Sequence, residues 1–151
     1  MSDSAFDKTG KLKPNVKYKT GEFGYHGETD ELGRLSRSHT DDLKISTKDR
    51  LPHKAKTPGK LKGDHAGHIF GDRFGGSADL DNIVSQLSSV NLSKFKKIEN
   101  QWAKALKEVP PKSVKVDVKV NYKGNDVRPS SFEVLWKING EPKRLKISNI
   151  K

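Results

Sequence analysis

GDHAGHIFGDRFGGSADLDNIVSQ, residues 63–86, sets two histidines, His65 and His68, beside Asp64 and Asn82 in one glycine-rich segment. A hydrophobic core has little use for such a cluster. A metal-assisted hydrolase needs its components: a neutral imidazole base, hard oxygen ligands for a divalent cation, and a backbone that can approach a substrate closely. DHAGHIFGDRFGG reads as a strand giving way to a loop, with Gly67, Gly71, Gly75 and Gly76 permitting tight backbone. Asp79 to Leu92 is expected to be a loop or short helical turns.

Downstream, Phe95, Ile98, Trp102, Ala105 and Leu106 recur on one face of a 3.6-residue period, which predicts an amphipathic helix that Pro110 and Pro111 stop. Asn91 continues the same inward stripe at the helix start, where an amide either caps the helix or holds something. Glu99 lies toward the edge of that stripe. Beyond the prolines the period changes to two. Val114, Val116, Val118, Val120 and Tyr122 alternate with polar residues, as do Phe132, Val134, Trp136 and Ile138. The second run ends at Asn139-Gly140, a hairpin turn signal, and Leu145 and Ile147 suit a closing strand.

Upstream, residues 1–62 are polar and short of periodic apolar runs, with Tyr18, Phe23, Tyr25, Leu32, Leu35, Leu43, Ile45 and Leu51 as scattered anchors. Residues 1–28 are expected to form a polar extension or linker and 29–151 the functional domain. The coarse expectation is an α+β domain in which the histidine segment and the Asn91 helix pack together against a C-terminal antiparallel sheet.

Composition bounds the function. With 151 residues the chain is large enough for one modest core. Lys+Arg 30 against Asp+Glu 19 gives a net charge of +11, which directs attention to a polyanionic partner. The absence of cysteine excludes disulfides and thiolate-based zinc sites. No apolar run is long enough to cross a bilayer, and MSDSAFDKTGKLKPN lacks a signal-peptide core, so no membrane association is expected.

DHAGH with its FGG segment, DNIVSQ, the NLSKFKKIENQW helix and the VNYKGNDVRPSSFEV strands together resemble the DNA/RNA non-specific endonucleases of the ββα-metal superfamily, whose signature is D-R-G-H. The resemblance spans roughly residues 29 to 149 and implies a ββα-metal core with an antiparallel sheet and a metal-binding helix. By the same resemblance, His68 falls on the general base, Asn82 to Gln86 on an Asn-x-x-x-Gln element, Asn91 on the metal-binding asparagine and Glu99 on the helix glutamate. Nine residues separate Asn82 from Asn91, and eight separate Asn91 from Glu99. The chain departs from D-R-G-H itself, having Ala66 at the Arg position and His65 at the Asp position, with Asp64 one residue earlier.

Phosphodiester hydrolysis needs a deprotonated water in line with the leaving oxygen, and positive charge on the phosphoryl oxygens. His68 would take the proton. A cation, Mg²⁺ or alternatively Mn²⁺, would be held by Asn91, with Glu99 ordering its hydration. An arginine is expected at the scissile phosphate, Arg50 being favoured over Arg73. Asp64, His65 and Asn82 are assigned supporting roles, Asn82 as a loop clamp, and Arg128-Pro129 a structural one.

Blander readings stay open: His65 and His68 as a hydrogen-bonded pair or as ligands of a structural zinc ion, Asn91 as a helix cap, Glu99 as a solvated charge. The alternative at the level of the whole chain is a basic nucleic-acid-binding module without catalysis, which keeps the charge but has no need of the His–Asn–Glu spacing. Proteins that resemble this chain often form the C-terminal toxic domains of larger secreted bacterial proteins. The resemblance therefore implies delivery into a target bacterial cell, action in its cytoplasm on DNA or RNA, and an acidic immunity protein covering the His68 groove.

Overall fold

The computed structural model describes residues 5–48, 52 and 55–150. Among these, six strands form one antiparallel sheet in the order β1 (Lys17–Thr20), β2 (Tyr25–Thr29), β3 (Leu35–Thr40), β6 (Val114–Asn121), β7 (Ser131–Ile138), β8 (Glu141–Ser148). Two further strands, β4 (His65–His68) and β5 (Ile83–Gln86), form a separate hairpin, followed by helix α1 (Phe95–Lys107).

Alternation in β6 and β7 does what a period of two requires. Val114, Val116, Val118 and Val120 are buried on one face with Phe132, Val134 and Trp136 opposite, while Lys115, Lys119 and Lys137 are exposed on the other. The β7–β8 turn passes through Asn139 and Gly140, both at positive φ. Against the buried face lies α1, whose inward residues Phe95, Ile98, Trp102 and Ala105 complete the core. Trp102 is fully buried, edge-on to Trp136 with ring centroids 6.0 Å apart, and Phe95 meets Phe132 in the same way at 5.3 Å.

Three expectations need correction. Strands β1 and β2 put residues 17–29 into the main sheet, which is therefore not solely C-terminal. Tyr18 and Tyr25 anchor these short strands, and their hydroxyls donate to the Asp81 and Phe74 carbonyls beneath. Ile83–Gln86, expected as loop, is the strand that pairs with the histidine segment. Leu32 is half exposed rather than an anchor, whereas Leu51 lies outside the described residues. Leu145 and Ile147 close the sheet as expected, with Ile147 buried and Leu145 exposed.

Candidate active site

The ββα unit is assembled by local contacts that the sequence encodes. In the β4–β5 hairpin His65 pairs with Gln86 and His68 with Ile83. Gln86 is fully buried against Gly67, where a Cβ would come within 2.3 Å of its amide, so a side chain at this position would have to displace Gln86. The Gln86 Nε2 donates to the His68 carbonyl at 3.4 Å. Asn82, also buried, accepts from the Phe70 N–H at 2.9 Å and donates to the Phe70 and Ser77 carbonyls at 2.8 and 2.9 Å. It fixes the loop after His68 and does not line the cleft described below.

Asp64 anchors the start of β4. Its carboxylate is fully buried and accepts from Arg128 Nε at 2.8 Å and Nη2 at 3.0 Å, and from the Leu61 N–H at 2.9 Å. This bidentate pair ties the histidine strand to the loop between β6 and β7, a structural duty that agrees with the role expected of Arg128.

After β5 the chain enters a π-helical turn, Val90–Lys94, that feeds into α1. Asn91 sits within that turn and makes no cap hydrogen bond; its Nδ2 lies 3.1 Å from His65 Nδ1. Where the His65 Nδ1 accepts from that amide nitrogen, the Asn91 carbonyl oxygen is the atom left to offer to a cation.

His65, His68, Asp72, Arg73, Asn91 and Glu99 line one open cleft of about 1060 Å³, whose wall also carries Lys48, Lys60 and Lys96. His68 and Asp72 are both largely buried there, with Nε2 of the ring 3.4 Å from Oδ1 of the acid. Arg73 is exposed and donates to Asn100 Oδ1 at 2.7 Å. Arg50, the favoured arginine, lies outside the described residues. Asp72 was missed by sequence reasoning: it stands in GDRFGG without periodicity, and its only signal was the i, i+4 offset from His68.

Glu99 reaches into the cleft beside Gly71, whose N–H it accepts and where a Cβ would sit 2.5 Å from its carboxylate. Burial pushes its pKa up to about 7, opposed by the Arg73 charge, the Gly71 hydrogen bond and Lys96. A carboxyl neutral at pH 6 in the folded chain ionises near 4.5 when unfolded. The native state therefore holds the extra proton in between, and the stabilisation, complete below pH 4.5, is lost as pH rises through 7. Glu99→Gln, which has no charge to desolvate, should match the unaltered chain more closely at pH 4.5 and exceed it at pH 8 in EDTA, by at most about 3 kcal/mol. Thermal melts at the two pH values test this; a difference that does not grow with pH would contradict it.

The residues present fit a hard divalent cation. An amide oxygen and a carboxylate face one water-accessible cleft, and the buried Glu99 carboxyl is one whose ionised form a neighbouring cation would restore. Among the described residues no group of three or more His, Asp or Glu side chains comes together as a metal cage.

Comparison with known proteins bears on the fold and the family. EssD, a type VII secretion system protein of Staphylococcus aureus (strain USA300), is 37% identical over 150 residues, covering 92% of this chain and 24% of EssD. The same protein of strain Newman matches equally. The chain thus spans about a quarter of the length of the curated relatives it matches. Among solved structures, NucA from Streptococcus agalactiae with no metal bound superposes with a TM-score of 0.66 at 16% identity, covering 95% of this chain and 78% of NucA. The Sda1 nuclease with bound zinc ion gives 0.64 at 13% identity, covering 91% of this chain and 85% of Sda1. At such identities these two likenesses establish the fold. The family model for DNA/RNA non-specific endonucleases matches residues 14–140, and the chain belongs to that family of nucleic-acid-hydrolysing enzymes.

Proposed function

We propose that the cleft hydrolyses phosphodiester bonds of DNA or RNA with His68 as general base and a divalent cation, Mg²⁺ or Mn²⁺, held by Asn91 and Glu99. The observation that carries this reading is the convergence of His68, Asn91 and Glu99, from a strand, a helical turn and a helix, on one cleft edged by lysines and Arg73.

His68 takes the proton of the attacking water. His65 keeps the Asn91 amide turned so that its oxygen is available. When bound, the cation supplies positive charge to the phosphoryl and leaving oxygens. Lys48, Lys60, Lys96 and Arg73 hold the backbone phosphates, and Arg50 or Arg73 contacts the scissile one. Contacts of this kind carry no base information, which suits cutting with little sequence preference. An amide and a carboxylate, with water and phosphate completing the shell, favour Mg²⁺ over Zn²⁺.

Similarity to a longer type VII secretion system protein supports a nuclease module of a larger exported protein, acting as a toxin in the cytoplasm of a target bacterium. Its producer would then hold an acidic immunity protein over the cationic cleft. No helix among the described residues is long and apolar enough to cross a membrane.

Asn91→Ala should reduce cutting and raise the Mg²⁺ concentration needed for half-maximal rate, roughly 10- to 100-fold, with partial recovery in excess Mg²⁺ or Mn²⁺. An unchanged metal titration would return Asn91 to a structural role.

A further inference from the structure

The two nitrogens of the His68 ring have unlike surroundings. Nε2 is buried from solvent and lies 3.4 Å from Asp72 Oδ1, although the ring as a whole lines the cleft and retains 14% exposure.

Asp72 is carried on a fixed support. It opens a 3₁₀ turn, Asp72–Phe74, closed by the Phe74 N–H to the Gly71 carbonyl at 3.0 Å and the Gly75 N–H to the Asp72 carbonyl at 2.8 Å. Phe74 is fully buried against Trp102, and the Asn82 clamp holds the segment that joins the turn to His68. The carboxylate retains 11% exposure. The contact with the ring is at ion-pair distance without hydrogen-bond geometry, and it would tighten into a hydrogen bond when substrate binds, as contacts in substrate-free sites commonly do.

We propose that Asp72 is the positioning residue of the base. It holds the His68 ring with the proton on Nε2, leaving the Nδ1 lone pair toward the cleft, and it stabilises the imidazolium that forms. This rests on the reading of His68 as general base. In the step it serves, one O–H bond of water breaks and its proton goes to Nδ1, while the oxygen bonds to phosphorus. The P–O3′ bond breaks with its electron pair on O3′, which takes a proton from solvent. Asp72 stays ionised throughout, as the carboxylate of a carboxylate–imidazole pair does.

The test combines ring-nitrogen NMR of metal-free, ¹⁵N-labelled protein with kinetics. In the unaltered chain the neutral His68 ring should be the Nε2–H tautomer. In Asp72→Asn the imidazole pKa should fall, the acidic limb of the rate–pH profile should move down with it, and kcat at neutral pH should drop roughly 10- to 100-fold, a share of what a general base supplies. KM and Mg²⁺ dependence should be nearly unchanged, and Asp72→Glu should recover part of the loss. An Nδ1–H tautomer in the unaltered chain would overturn the proposal even if the variants failed to fold. So would Asp72→Asn with unchanged kcat and pH profile. If Asp72→Asn is fully active while His68→Ala is not, only the positioning role fails; if His68→Ala is itself fully active, the reading of the base fails first.

Discussion

His68→Ala is expected to cut nucleic acid roughly 10²- to 10⁴-fold more slowly than the unaltered chain while binding it with nearly the same affinity. The ring is a small part of the cleft surface, and the cationic side chains proposed to meet phosphates, Lys48, Lys60, Arg73 and Lys96, belong to other positions. Neither Asn91 nor Glu99 depends on the imidazole for its placement: Asn91 is held by His65, and Glu99 by its helix and the Gly71 N–H. The loss should therefore fall on kcat. Affinity measured with the inactive variant should still fall steeply with salt, because counterion release follows the phosphates neutralised. A variant that cuts at the normal rate would remove His68 from the mechanism, and one that no longer binds would mean that the ring organises the cleft.

The second large effect is on stability. Arg128→Ala leaves the fully buried Asp64 carboxylate without its bidentate partner and also removes hydrogen bonds to the Pro129 and Asn149 carbonyls. Breaking a buried pair from one side costs about 3–5 kcal/mol, a large part of the 5–15 kcal/mol that holds a typical domain together. For a chain of this size the melting temperature should drop on the order of 10 °C. Replacing both partners, Asp64→Asn with Arg128→Met, should be better tolerated than Arg128→Ala, since no charge is then stranded. A single variant that melts within a degree or two of the unaltered chain would contradict the anchoring role.

What could be read from the chain beforehand follows physical lines. The helix from Phe95 was legible because its stripe repeats at 3.6 residues and ends at two prolines; β6 and β7 were legible because one face is buried and the other wet. β5 was not, because all four of its residues are buried and leave no alternation to see. β1 to β3 were missed for another reason: they are short, and their inward faces include polar side chains such as Thr29, Ser38 and Thr40. Of the site, His68, Asn91 and Glu99 were found through the resemblance and come to line one cleft. The partner of Asp64 stands 64 residues away in sequence, and the contact between His65 and Asn91 spans 26, distances at which spacing carries no signal. Asp72 lay in view within four residues of His68, yet only the turn that lifts it toward the ring gives it meaning.

The measurement that bears most directly on the central claim is a gel time course of the purified unaltered chain and His68→Ala on supercoiled plasmid and on total RNA, in Mg²⁺, Mn²⁺ or EDTA. The unaltered chain should degrade its substrate to a continuous smear in Mg²⁺ or Mn²⁺ and do nothing in EDTA, and His68→Ala should leave the substrate intact over the same period. Undiminished cutting in EDTA, or equal cutting by His68→Ala, would contradict a cation-assisted hydrolysis that begins at His68.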